Sequence, residues 1–300
     1  MLKDRRIIYT MSQMKKINKK IYVFLPILQI LASILCCSCV SIQQNAVYME
    51  EFAPPQPADG TKTIVAVQIS DAHFSKERPI FDCAVKTVNG IDPDIIFFTG
   101  DQATSTKSIE IMQRYMEKIS VKCPKLAIYG NWELSQNIPL DKYAEALQSA
   151  GVQLLKNEAF NFEKDGMKLN IYGLDDLLFG KPDFSGFERK KDAANVVLGH
   201  CPPLFDQLNH AEEAPVTMIS GHTHGGQFVF FGHAIYFPEG TGEYYAGIYK
   251  NGGDTLYVST GLGNSTYDIR NVPPQIDIIT FVFDSDNNFI EAKTQAIKVK

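Results

Sequence analysis

Five short apolar runs each lead straight into a residue that can bind a metal or carry a proton, and this pairing constrains the fold more than any other feature. Thr63–Ser70 leads into Asp71-Ala72-His73, and Asp94–Thr99 into Gly100-Asp101. Lys125–Tyr129 leads into Gly130-Asn131-Trp132-Glu133, Asn195–Leu198 into Gly199-His200, and Val216–Ile219 into Ser220-Gly221-His222-Thr223-His224. Runs of near-continuous Val, Ile, Leu and Phe are the pattern of strands covered on both faces. Helical spacing falls between the first of them: Phe81–Asn89 closed by Gly90, Lys107–Ser120 with Ile109, Met112, Met116 and Ile119 on one side, and Leu140–Ala150 before Gly151. Alternation of this kind predicts an α/β fold, and sites in such folds lie at the carboxyl ends of the strands.

His222-x-His224 is framed by Gly221, Gly225 and Gly226. Glycine lets the backbone turn sharply and approach closely. In an extended segment residues two apart point the same way, so both imidazoles are expected to face one space. The strand ends together offer two Asp (Asp71, Asp101), one Asn (Asn131) and four His (His73, His200, His222, His224), with no thiolate. Nitrogen and oxygen donors of this kind suit Zn, Mn, Fe or Co. Seven donors exceed what one ion takes and suit two divalent or trivalent ions sharing a carboxylate. Such pairs clamp the attacking and leaving oxygens of a displacement at phosphorus, with a water between the ions deprotonated near neutral pH as the nucleophile.

Asp71-x-His73, Gly100-Asp101, Gly130-Asn131, Gly199-His200 and Gly221-His222-x-His224, in that order, resemble the motifs of the calcineurin-like metallophosphoesterases over roughly residues 63–283. Gly-His-Thr-His-Gly-Gly-Gln, with Gly261-Leu-Gly263, Arg270 and Pro273-Pro274 further on, is similar to a bacterial membrane-associated subgroup. The resemblance implies a four-layer α/β/β/α sandwich of two mixed sheets. It also implies one metal on Asp71, His73, Asp101 and His224, a second on Asp101, Asn131, His200 and His222, and Asp101 as the bridge.

One position departs from the family. Its third motif is Gly-Asn-His followed by an acid; here Trp132 stands in place of the His, and Glu133 matches the acid that orients it. In the family that His assists the leaving oxygen, whereas indole is a donor that does not titrate near neutral pH. Three accounts fit: a substrate with a good leaving group, such as a pyrophosphate or activated diester; a substitute donor, with His210 and His233 the spare histidines; or a Trp that stacks on a base or acyl chain.

Residues 61–300 are expected to form this domain. Ahead of it, residues 1–40 read as a basic flank and a signal or anchor: Lys15, Lys16, Lys19 and Lys20 precede the uncharged run Ile21–Val40. About 20 apolar residues are long enough to span a bilayer, and Leu-Cys-Cys-Ser-Cys39 resembles a lipoprotein signal, so lipid anchor and uncleaved helix both stand. Residues 41–60, with Pro54, Pro55 and Pro57, read as a tether. The body is then expected outside the cytoplasm, at the cell envelope, with a phosphorylated small molecule or lipid as its partner.

Residues 1–20 hold seven of the 29 Lys/Arg and one of the 34 Asp/Glu, leaving 22 basic against 33 acidic groups in the body. An acidic body argues against nucleic acid as a partner. The rival function is a metal-containing envelope module that binds phosphorylated ligands without catalysis. Arg270 in its Gly/Asn/Pro-rich loop reads either as a phosphate grip or as a solvated charge. Asp175 and Asp176 follow a strand and read either as turn residues or as supports behind the metal ligands, the turn role being favoured. Cys201 should face away from the neighbouring His200, and Tyr236, Phe237, Tyr244, Tyr245 and Tyr249 form an aromatic patch after the histidine strand.

Overall fold

The structure is a computed structural model that describes residues 60–211, 213–231, 233–234, 236–265 and 270–298. The expected signal or anchor segment 1–40 and all of the 41–60 tether except Gly60 lie outside the described residues.

Six strands form the first sheet. β1 (Lys62–Ile69), β2 (Ile95–Thr99), β3 (Lys125–Ile128) and β4 (Val152–Leu154) run parallel. Two later strands, Gln275–Phe283 and Phe289–Lys298, continue it antiparallel beyond β1. The second sheet takes the chain between: β5 (Glu158–Lys164), β6 (Met167–Gly173), β7 (Ala194–Leu198) and β8 (Val216–Ser220), followed after the small ribbon of β9 (Val229–Phe230) and β10 (His233–Ala234) by β11 (Gly247–Asn251) and β12 (Asp254–Val258). Its order is β11-β12-β8-β7-β6-β5, parallel from β12 to β6 and antiparallel at both edges. The strands Gln275–Phe283 and Phe289–Lys298 are β13 and β14.

Both sheets are mixed, as expected, and they pack face to face. Ile64, Phe97, Leu126, Phe281 and Phe283 of the first meet Leu169, Ile171, Val196, Leu198 and Ile219 of the second in one buried cluster. Fully burying each such side chain contributes about 1.5–3 kcal/mol. On its other face the first sheet carries α1 (Pro79–Ile91), α2 (Ser108–Glu117) and, after the short α3 (Asn131–Ser135), α4 (Leu140–Ser149). Phe81, Val88, Met112, Tyr115, Met116, Tyr143 and Leu147 of α1, α2 and α4 fill that layer. The outer face of the second sheet is covered by the 3-10 helix Pro202–Gln207 and by loops, through Leu204, Phe205, Leu208 and Phe187.

Differences from the sequence expectation fall at ends and edges. α1 runs past Gly90 and stops at Asp92, whose φ of 51° closes the helix in the left-handed conformation. β5, β11 and β14 are strands that no apolar run announces. Each lies at a sheet edge with one face in solvent, so half of its residues are polar.

The register levels the parallel strand ends. Ile69 pairs with Phe98, Thr99 with Ile128, and Leu198 with Ile219. The residues that follow emerge side by side along one rim.

Candidate metal centre

The first sheet delivers Asp71 and His73 after β1, Asp101 after β2 and Asn131 at the start of α3. The second delivers His200 after β7, and His222 and His224 after β8. All seven converge on the rim, forming two acid–imidazole groups, Asp71/His73/His224 and Asp101/His200/His222, all six side chains buried. Within each group the ligand atoms lie within 4.8 Å of one another. Asp101 joins the two groups: its Oδ2 is 3.6 Å from His73 Nε2 and 3.4 Å from His200 Nε2. Asn131 Oδ1 lies 3.1 Å from His200 Nε2 and 2.9 Å from His222 Nδ1.

The backbone at these positions is unusual. Asp71, His73, Asp101, His222 and His224 have φ between 46° and 71°, a region that non-glycine residues seldom occupy and that concentrates at functional sites. The chain past β8 is therefore not extended, so the alternation argument does not apply to His222 and His224. They enter different groups, reached by left-handed turns rather than by pointing the same way.

Surrounding hydrogen bonds hold the turns. Asp71 N–H donates to Gly100 O (3.1 Å), His73 N–H to Asp101 O (3.0 Å) and His222 N–H to the Asp71 carboxylate (3.0 Å). Two glycines permit the crowding. A Cβ on Gly221 would fall on the Ser70 hydroxyl and the Asp71 carboxylate, and one on Gly130 on the Asp101 carboxylate.

The inward atoms fit cations. His200 Nδ1 is 2.8 Å from Thr99 O and His222 Nε2 2.6 Å from Glu239 O. Each carbonyl claims the proton of a neutral ring, leaving His200 Nε2 and His222 Nδ1 with lone pairs turned inward, 3.3 Å apart. Lone pairs facing each other and the Asn131 oxygen repel unless a metal ion, or a proton taken up by His200, lies among them. Likewise His73 Nε2 and His224 Nε2 are 3.1 Å apart, while their buried Nδ1 atoms meet no partner.

Burial pushes His73 and His222 down to about 4 and His224 well below its ordinary range, so these rings are neutral ligands near pH 7. Burial alone would push Asp101 up and His200 down. Their mutual attraction overrides it, placing Asp101 well below the usual carboxylate range and His200 well above its own. A cation bound there would displace that proton.

Glu133 and Arg270 turn to the backbone. Glu133, fully buried, accepts from the N–H of Asp101 (3.0 Å), Ala103 (2.9 Å) and Gly130 (2.9 Å), tying the β2 and β3 ends together. Burial, followed by the Asp101 charge, pushes its carboxyl up to about 7. Arg270 donates Nε–H to Val272 O (2.7 Å), Nη1–H to Gly263 O (2.6 Å) and Gly261 O (3.3 Å), and Nη2–H to Thr260 O (2.7 Å) and His224 O (3.4 Å). Five donors aimed at carbonyls leave none for a phosphate. The reading of Arg270 as a phosphate grip is corrected accordingly: it braces the loop behind His224.

Trp132 donates its backbone N–H to Asp101 Oδ1 (2.8 Å) and sets its half-buried ring edge-on to His73, centroids 5.0 Å apart. Neither spare histidine reaches this position through a described contact. His210 Nδ1 pairs with Asp254 Oδ2 (2.8 Å) beside β12, and His233 is exposed on β10. Asp176 accepts from the N–H of Leu178 and Phe179, as a turn residue does, and Cys201 faces Asp176 rather than the metal centre.

A sandwich of two mixed sheets with paired acid–imidazole groups at its rim defines a metal-dependent hydrolase. Residues 64–234 match the family model for calcineurin-like phosphoesterases. The chain is 33% identical to the uncharacterized metallophosphoesterase YkuE of Bacillus subtilis, over 75% of this chain and 80% of that one. It is 26% identical to the phosphodiesterase YaeI of Escherichia coli, over 71% and 80%. Its fold is similar to that of the 5'-nucleotidase precursor of Thermus thermophilus, with a TM-score of 0.50 at 14% identity, covering 79% of this chain and 55% of that longer one. The chain belongs to the calcineurin-like phosphoesterase family, and is a metal-dependent hydrolase of phosphate esters.

Proposed function

We propose that the enzyme hydrolyses phosphodiester or pyrophosphate bonds of a phosphorylated small molecule or lipid, using two metal ions held as the groups above imply. The observation that carries this is Asp101 Oδ2, placed within 3.6 Å of His73 and 3.4 Å of His200 and so within reach of both groups. When bound, the ion pair supplies Lewis acidity and a shared water made acidic enough to yield hydroxide near neutral pH. The chain's own part is positional. Asp71, His73, Asp101 and His224 form one seat, and Asp101, Asn131, His200 and His222 the other. Carbonyls of Thr99 and Glu239 fix the tautomers of His200 and His222, and Glu133 fixes the spacing of the β2 and β3 ends.

Trp132 supports the choice of substrate. Its ring lies against His73, and its N–H cannot hand a proton to a departing alkoxide. A leaving group that departs unprotonated suits this site, as a phosphate or an acidic alcohol does. The phosphodiesterase name of the Escherichia coli relative agrees with that choice. The uncharged run Ile21–Val40 behind its lysines supports a place at the cell envelope, anchored by lipid or helix, and hence a substrate in or near the membrane.

Manganese-supported hydrolysis of a chromogenic phosphodiester is expected, with at least about a 10²–10³-fold loss in Asp101→Ala. Full activity in that variant rules out the shared carboxylate. Trp132→His is expected to speed hydrolysis of alkyl phosphomonoesters by up to about 10²–10⁴-fold, the value of a positioned general acid. An unchanged or lower rate refutes the missing-acid reading.

A further inference from the structure

Six large apolar side chains are exposed among the described residues, and three of them, Phe231, Tyr236 and Tyr245, fall in the stretch between β9 and β11 whose Glu239 and Tyr245 carbonyls face the metal-centre loop. Phe231 (101% exposed) sits at the tip of the β9–β10 ribbon, and Tyr236 (70%) and Tyr245 (47%) lie in the segment that leads to β11. Ile248 is on β11, and Phe179 follows Leu178, which lies against Gly240. The sixth, Ile290, is on β14 in the other sheet.

Contacts bind this segment to the site. Glu239 O faces His222 Nε2 at 2.6 Å, Tyr245 O accepts from the Thr223 hydroxyl (2.6 Å), and Phe237 stacks on Tyr245 with centroids 4.3 Å apart. Rings left exposed to water on a segment that abuts the site loop present apolar area that a soluble substrate does not require.

We propose that this rim is a membrane-docking surface: Phe231, Tyr236 and Tyr245 enter the headgroup region of a bilayer and present the metal centre to phosphate groups there. Phe and Tyr suit that depth, with an apolar body and, in Tyr, a polar tip. Exposed charges in the same stretches of chain as these side chains are mixed, Glu239, Glu243 and Asp183 against Lys181 and Lys250. Apolar insertion rather than attraction to anionic lipid therefore drives the contact, and added salt should not release it. The same chain carries the uncharged run Ile21–Val40, separated in sequence from β1 by residues 41–61, which bound the reach between them at about 3.3–3.6 Å per residue. The proposal rests on reading Ile21–Val40 as an anchor.

The test uses the full chain reconstituted in phosphatidylcholine vesicles containing a spin-labelled lipid. Trp132 is the chain's one tryptophan, so wild-type emission is the baseline. Added emission from Phe231→Trp and Tyr236→Trp is expected to be quenched about twofold or more, as for rings at headgroup depth, and that from Ile290→Trp to be unaffected. Equal quenching at 231 and 290, or none at 231, overturns the proposal. So does shielding of the 231 ring from aqueous quencher that grows with protein concentration in detergent, which would assign the rim to a second copy. A wild-type chain that fails to float with the vesicles removes both anchor and docking. Phe231→Ser combined with Tyr236→Ser should keep hydrolysis of a soluble chromogenic phosphodiester while lowering that of a lipid phosphodiester in vesicles about tenfold, the loss of local concentration. If the wild type cleaves neither ester, the substrate reading fails, and the quenching result still decides the docking.

Discussion

Asp101 has no freedom left. One oxygen accepts from Trp132 N–H, the other lies between two imidazoles, and its own N–H is held by Glu133. Glu133 is therefore predicted to govern metal affinity without touching metal. Glu133→Gln puts an amide NH2 where one of three backbone donors now points, and is expected to weaken metal binding about 10–100-fold, measured by titration, with a smaller effect on folding. The side chains that converge on the rim were legible in the sequence because Asp, Asn and His stand directly after apolar runs. The roles of Glu133 and Arg270 were not, since their partners are backbone atoms that no residue type announces. Left-handed φ values at Asp71, His73, Asp101, His222 and His224 were hidden for a related reason: glycine would have signalled them, and none of these residues is glycine.

At the level of strands and turns, the parallel interior of both sheets could be read from composition, and the edges could not. Phe160 and Phe162 of β5 alternate with polar residues, a weak signal in a chain whose central strands are apolar throughout. Glycines divide by what surrounds them. Gly221→Ala, with Ser70 and Asp71 in the way, is predicted to cost about 1–3 kcal/mol in urea unfolding and to lower metal occupancy. Gly90→Ala, within α1 and with open space around it, is predicted to stabilise by about 0.4–1 kcal/mol. If both variants behave alike, the crowding at the β8 end is not what limits the site.

Across the whole molecule, polar groups cross between the sheets beside the site. Gln68 of β1 donates to Ser220 O of β8 (2.9 Å), and Asp277 of β13 accepts from Tyr257 of β12 (2.7 Å) and from Ser259 just beyond it. Burial pushes the Asp277 carboxyl up to about 6 from 3.8. An acid raised in the folded state favours folding below its unfolded value and withdraws that support as pH climbs. Relative to Asp277→Asn, the wild type is predicted to lose stability between about pH 4 and pH 6 and to level off above, read from urea unfolding at each pH. A flat difference across that range means the carboxyl is not strained by burial.

The supply of ligands from both sheets has a mechanical consequence. A pair of cations gripping Asp71, His73, Asp101 and Asn131 on one side and His200, His222 and His224 on the other would act as a clasp on an otherwise open seam. Drawing the ions out with a chelator should loosen that end first. Amide hydrogens of Asp71, Gly199 and Gly221 would then exchange faster, while Ile64 and Phe281, deep in the apolar filling, keep their protection.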